Sequence, residues 1–184
     1  WGDLKNTYIL LILLATLWMG LVGFIDDYLK VFKKMKKGLV ARYKLMNQIG
    51  LGLVVACLIY FLPEFDRINS VTTIPFLKQV EFDFSYLYIP IMVFIITATS
   101  NAVNLTDGLD GLAIGCVGIA GLAIGLIAYL SGNEIFSRYL NIIYLPGNGE
   151  LAVYCAALVG ASLGFLWFNS YPAQVIMGDT GSLA

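Results

Sequence analysis

Asp26 and Asp27 stand side by side in Gly23-Phe24-Ile25-Asp26-Asp27-Tyr28-Leu29-Lys30, where an apolar run ends. An acid at membrane depth is costly and marks a functional site by default. If the helix continues, Lys30 follows Asp26 by four residues and Asp27 by three, so its ammonium can meet both carboxylates. A solvated helix end is the plainer explanation. Two acids at a helix C-terminus oppose the macrodipole, however, which weakens it.

A second polar segment reads Asn101-Ala102-Val103-Asn104-Leu105-Thr106-Asp107-Gly108-Leu109-Asp110-Gly111. Asn104 or Thr106 is suited to cap a following helix. Asp107 and Asp110 would then share a face of its first turn. Gly108 and Gly111 leave room for a ligand close to the backbone, and helix N-termini favour phosphate. A capping loop explains one Asp, but not also two Asn and two Gly. The third segment, Gly178-Asp179-Thr180-Gly181-Ser182, follows Asn169 and Pro172. A Gly-flanked Asp beside hydroxyls can hold a metal or cradle an anion. It is not a Walker loop, because no Gly-Lys-Ser/Thr follows.

Lysine completes the inventory. Lys33, Lys34, Lys36 and Lys37 suit the ordinary role of basic loops, setting topology and touching anionic lipid heads. Lys30 and Lys44 lie nearest the membrane edge and the Asp cluster, where they could pair with phosphates. There is no His, which removes imidazole bases, the Ser-His-Asp triad and the usual zinc sites. Cys57, Cys116 and Cys155 sit in apolar stretches without CxxC spacing and read as small core hydrophobes. Oxygen-only ligands of this kind suit Mg²⁺, whose coordination substrate phosphates and water usually complete. Phosphoryl transfer needs little beyond positioning, charge neutralisation and a base. The residues therefore point to Mg²⁺-dependent chemistry on a phosphate substrate.

The elements that must position these groups are membrane spans. The 184 residues are 59% hydrophobic and only 12% charged, with mean hydropathy +0.82. A soluble domain is about 25% charged. A net charge of −1 gives no nucleic-acid signature. The apolar runs predict an all-α integral membrane protein with five spans, at about 8–25, 45–62, 87–103, 109–130 and 151–168. They form one polytopic domain, 1–184, incomplete at both ends. The alternating run Val80-Glu81-Phe82-Asp83-Phe84-Ser85 predicts a strand, paired as a short extracytoplasmic hairpin with Thr72–Leu77. Gly111, Gly115, Gly118, Gly121 and Gly125, and again Gly160 and Gly164, predict close helix packing.

Seven of the eleven Lys and Arg lie between Lys30 and Lys44, which places that loop in the cytoplasm. Alternating the spans then puts Asp26, Asp27, Asp107, Asp110 and Asp179 on the same side. Nothing in the hydropathy required this, and the convergence argues for one site. A transporter would also use intramembrane acids and interrupted helices, but its site would sit near the midplane.

In this order, GFIDDYLK, GLVARYKLMNQ, NAVNLTDGLDGLA and FLWFNSYPAQVIMGDTGS resemble the phospho-N-acetylmuramoyl-pentapeptide transferase family. That family lies within the polyprenyl-phosphate N-acetylhexosamine-1-phosphate transferase superfamily. The resemblance runs the length of the chain, and NLTDGLDGL is its most specific part. It implies transfer of phospho-MurNAc-pentapeptide from UDP-MurNAc-pentapeptide to undecaprenyl phosphate. The products are lipid I and UMP, in the first membrane step of peptidoglycan synthesis. It also implies a bundle of about ten helices, often a homodimer, in the bacterial inner membrane, with a cytoplasmic cleft that binds Mg²⁺.

Carried over by position, Asp179 resembles the Mg²⁺ ligand. Asp26 and Asp27 resemble the catalytic pair, one of them deprotonating the lipid phosphate, with Lys30 nearby and Lys44 on a phosphate. Asp107, Gly108, Leu109, Asp110 and Asn169 resemble the nucleotide-binding set, and Asn101 and Asn104 would line the same cleft. Ile176 stands where an aromatic residue often stacks on uracil. The family's Pro-Thr-Met-Gly-Gly segment and His-rich loop are absent, so the resemblance is to the central portion. A related UDP-HexNAc transferase making another surface polymer is the alternative.

Overall fold

The computed structural model describes residues 2–34, 38–65, 70–73 and 81–184. Lys36, Lys37, Asp66 and residues 74–80, some of which the sequence patterns single out, lie outside these. The elements are α1 (Thr7–Val31), α2 (Ala41–Phe61), β1 (Val71–Thr73), β2 (Glu81–Asp83), α3 (Tyr88–Thr106), α4 (Leu112–Ser131), α5 (Glu134–Leu140), α6 (Glu150–Asn169) and α7 (Gly178–Leu183). Short 3-10 turns cover Pro63–Phe65 and Ser85–Leu87. Among the described residues, five helices are long and apolar enough to cross a membrane: α1, α2, α3 with its preceding turn, α4 and α6. The protein is a multi-pass, mostly helical membrane protein with a small two-stranded sheet.

The helices outrun the apolar windows at the polar segments. α1 continues through Asp26, Asp27 and Lys30 to Val31. α3 continues to Thr106. Asn104 and Thr106 therefore lie inside α3 and do not cap α4. Asp107 and Asp110 lie in the turn between helices, not on the first turn of α4. The break falls at Gly111, whose φ of +76° stops the preceding turn from running into α4. The segment from Gly178 is a short helix, α7. The hairpin forms antiparallel, with Val71 opposite Asp83, Thr72 opposite Phe82 and Thr73 opposite Glu81.

The chain divides into two compact units. One comprises Ala15–Leu105 and Gly178–Ala184. Met19, Leu51, Val55 and Leu183 form its buried core, with Ala15, Trp18, Ile59 and Ile96 packed against it. α7 is thus held through Leu183 against α1 and α2. The other unit comprises Trp1–Leu14 and Thr106–Met177. In it α4 packs on α6. Gly118 faces Ser162, Gly121 faces Val159 and Gly125 faces Cys155, so the predicted small-residue seam forms over these three. Gly115, Gly160 and Gly164 face open space.

Candidate active site

α1, α2, α3 and α7 bring one cluster together within the first unit. Asp26 is fully buried on α1. Its Oδ2 meets Lys30 Nζ at 2.5 Å, one turn along the same helix, and Lys44 Nζ at 3.1 Å, from the first turns of α2. Its Oδ1 accepts the Leu39 backbone N–H at 2.5 Å. That approach uses Gly38, whose φ is +56°. A Cβ there would lie 2.6 Å from Asp26 Oδ1.

Asp179, on α7, shares both cations. Its Oδ2 lies 2.6 Å from Lys30 Nζ and 2.6 Å from Lys44 Nζ. Its Oδ1 accepts from Asn104 Nδ2 at 3.0 Å, and the same amide reaches Ser182 Oγ at 2.8 Å. Burial opposes ionisation of Asp179. Hydrogen bonds from Lys30, Lys44 and Asn104 outweigh that, and hold the carboxyl well below the usual carboxylate range.

Asp27 is engaged differently. Its carboxylate accepts the backbone N–H groups of Asp179 (3.2 Å) and Thr180 (2.8 Å) and the Thr180 hydroxyl (2.6 Å). It thereby satisfies donors that the start of a helix leaves unpaired, with the favourable charge sign. Gly23, one turn before Asp27, lets α1 and α7 touch, since a Cβ there would strike the Asp179 carbonyl. A sequence without a strong helical signal, Gly178-Asp179-Thr180-Gly181-Ser182-Leu183, is thus fixed as a helix by groups contributed from α1 and α3.

One carboxylate oxygen from each of Asp26, Asp27 and Asp179 lies within 4.8 Å of the others. Asp26 Oδ2 is buried and meets only the two ammonium groups among the described residues. Three carboxylates against two ammonium groups leave the cluster one negative charge in excess. This hard, oxygen-only set with a buried acceptor fits a divalent cation such as Mg²⁺.

Asn101 belongs to the same unit. Its Nδ2 donates to Gln48 Oε1 at 2.7 Å and to the Thr97 carbonyl at 2.8 Å. Asp107, Gly108, Leu109, Asp110, Asn169 and Ile176 belong to the other unit. There Asn169 is buried, accepting from the Gly111 N–H at 3.1 Å and donating to the Val175 carbonyl at 2.8 Å. Asp110 Oδ2 accepts from the Ala173 N–H at 3.1 Å. The Asp107–Gly111 turn is therefore braced on the segment after α6. Leu109, in the turn, and Ile176, in the segment after α6, are exposed, at 67% and 80%.

The Leu39 N–H joins the cluster, and Gln48 bonds Asn101 beside it, without either having been assigned a role from sequence. Gln48 carried a signal, as an amide one turn after Lys44 at the start of an apolar span. The Leu39 N–H carried none, because its role depends on a contact remote in sequence.

The model for "Glycosyl transferase family 4" matches residues 9–184. The chain belongs to this family. Among curated relatives of this glycosyl transferase family 4 chain is a phospho-N-acetylmuramoyl-pentapeptide-transferase of Pelodictyon phaeoclathratiforme. It is 56% identical over all 184 residues, which cover 50% of that protein. Proteins of the same name from Chlorobium phaeobacteroides (strain DSM 266) and Thermodesulfovibrio yellowstonii are 56% and 52% identical, with 50% and 51% of their lengths covered. The chain spans about half the length of the curated relatives it matches.

Proposed function

We propose that the protein carrying this chain is an enzyme that transfers phospho-MurNAc-pentapeptide from UDP-MurNAc-pentapeptide to undecaprenyl phosphate, giving lipid I and UMP. The observation that carries this reading is the Asp26–Lys30–Lys44–Asp179 cluster, in a chain over half identical to transferases of that name. The seven cations between Lys30 and Lys44 favour a cytoplasmic site in the bacterial inner membrane.

In the reaction, an oxygen of the lipid phosphate forms a bond to the sugar-linked phosphorus. The diphosphate P–O bond breaks, and UMP leaves with its electron pair. Asp179, with Asp26 and Asp27, would hold Mg²⁺, which when bound supplies neutralisation of the donor diphosphate. Lys30 and Lys44 keep two positive charges at the membrane edge, where two phosphate groups must approach each other. Asp26, buried between them, fixes both ammonium groups. Asp27 holds Asp179 in place through the α7 backbone. The Asp107–Gly111 turn and Ile176 are the candidates for gripping the nucleotide.

The test is UMP release by the full-length protein in detergent, with undecaprenyl phosphate and UDP-MurNAc-pentapeptide, with and without EDTA. Release that depends on Mg²⁺ and is lost in Asp179→Asn supports the assignment. Release only with UDP-GlcNAc moves the protein to a transferase for another surface polymer. No release with either donor refutes the catalytic reading.

A further inference from the structure

Gln48 is a polar side chain at 1% exposure, inside an apolar span. An amide buried among helices is costly unless both its ends are bonded. Here they are, and both partners lie on α3. Nε2 donates to Ser100 Oγ at 3.2 Å, and Oε1 accepts from Asn101 Nδ2 at 2.7 Å.

The positions of these contacts show what they do. α2 and α3 run antiparallel along a seam. At one level Gly52 meets Val93, where a Cβ would lie 3.0 Å from the Val93 Cα. One turn along α2, and two along α3, Gln48 meets Ser100 and Asn101. One turn further, Lys44 on α2 and Asn104 on α3 meet the same carboxylate, Asp179, from two sides. Apolar packing alone leaves such a seam free to slip. Hydrogen bonds between membrane helices contribute little to stability. A buried polar residue in an apolar helix seam is best attested as a device that fixes register.

We propose that Gln48 is a positioning residue: it locks α2 against α3 so that Lys44 and Asn104 reach Asp179 together. It acts through them and does not touch substrate. The catalytic consequence rests on the transferase reading; the positional claim does not.

The experiment measures, by mass spectrometry, the acylation rates of individual lysines in the full-length protein carrying this chain. Wild type is compared with Gln48→Met, which keeps the length of the side chain and removes both hydrogen bonds. Lys44 should react about three- to tenfold faster, as expected when a hydrogen-bonded restraint is lost. Lys30, which reaches Asp179 from α1, should keep its rate, as should the exposed Lys5. A purely structural role would raise Lys30 and Lys44 alike. That result, or an unchanged Lys44, overturns the proposal. If Gln48→Met does not fold, Ser100→Ala removes only one end of the link and should give the same pattern in smaller degree. In the transfer assay Gln48→Met should lower kcat and leave KM for the UDP-sugar unchanged. Absence of UMP release from wild type would sink the transferase reading, while the lysine labelling would still decide the positional claim.

Discussion

Lys44 Nζ lies 2.6 Å from Asp179 Oδ2, across 135 residues of sequence. The same oxygen is shared with Lys30 from α1. Asp179 thus ties together a helix pair that the basic loop connects and the short helix α7 that closes the unit. Each cation is held by two carboxylates, so neither lysine can leave without unbalancing a buried charge on Asp26.

Lys44→Met should therefore do more than remove a surface charge. Loss of one preorganised electrostatic group in an active site costs about a hundredfold or more in rate. We expect a fall of that order in UMP release. Lys44→Arg should not restore it, because a planar fork cannot place one donor atom against Asp26 Oδ2 and Asp179 Oδ2 as the compact ammonium does. A rate within twofold of wild type for either variant would contradict this account.

Asp27→Ala tests a different role. The carboxylate holds the first N–H groups of α7, and hydrogen bonds to charged groups are worth about 1.5–3 kcal/mol. Amide hydrogen exchange at Thr180 should accelerate about ten- to hundredfold, with the α2 core around Leu51 unchanged. Thr180→Val, which removes only the 2.6 Å hydroxyl contact, should show a smaller increase. Unchanged exchange in both variants would mean that Leu183, Asn104 and the two lysines hold α7 without help from Asp27.

The contrast between Asp27 and Lys30 shows what the sequence could reveal. Lys30 follows Asp26 by four residues, so their contact follows from helix geometry alone once α1 is known to continue. The five spans were legible for the same local reason, since each is an apolar run of sufficient length. Asp179 and its neighbours were legible as a polar motif but not as a helix. A six-residue stretch with two glycines has no helical signal of its own, and its first donors are met by Asp27 from 152 residues away. The end of α3 was misplaced for a related reason. Asn104 and Thr106 are good caps in isolation, yet Asn104 is held inside the helix by Asp179 and Ser182. Lys30 meets Asp26, as its spacing in α1 predicts, and both lysines also reach Asp179, which no local spacing predicts.

Gly38 should tolerate no side chain. A non-glycine residue in the left-handed region costs about 1–2 kcal/mol. A Cβ would also lie 2.6 Å from Asp26 Oδ1 and 2.7 Å from Lys30 Cε. Gly38→Ala should lower thermal stability by at least that amount and slow transfer, because the Leu39 N–H would be pushed off Asp26. Gly50, on α2, has nothing within 4 Å of its would-be Cβ. Gly50→Ala should be neutral or slightly stabilising, since alanine favours helix by about 1 kcal/mol over glycine. Equal effects at the two positions would show that the backbone of Gly38 is not constrained by Asp26.

In the other unit the sharpest steric prediction is at Gly125. A Cβ there would lie 2.8 Å from the Cys155 Cβ, at the buried face of α6. Overpacking a close helix contact costs about 1–3 kcal/mol. Gly125→Val should therefore lower the thermal midpoint, and adding Cys155→Gly should recover much of the loss by returning the space from the opposite helix. Additive losses in the double variant would mean that α4 and α6 do not meet at this level. Recovery would place the seam at Gly118, Gly121 and Gly125, and with it the brace that sets the Asp107–Gly111 turn against Asn169.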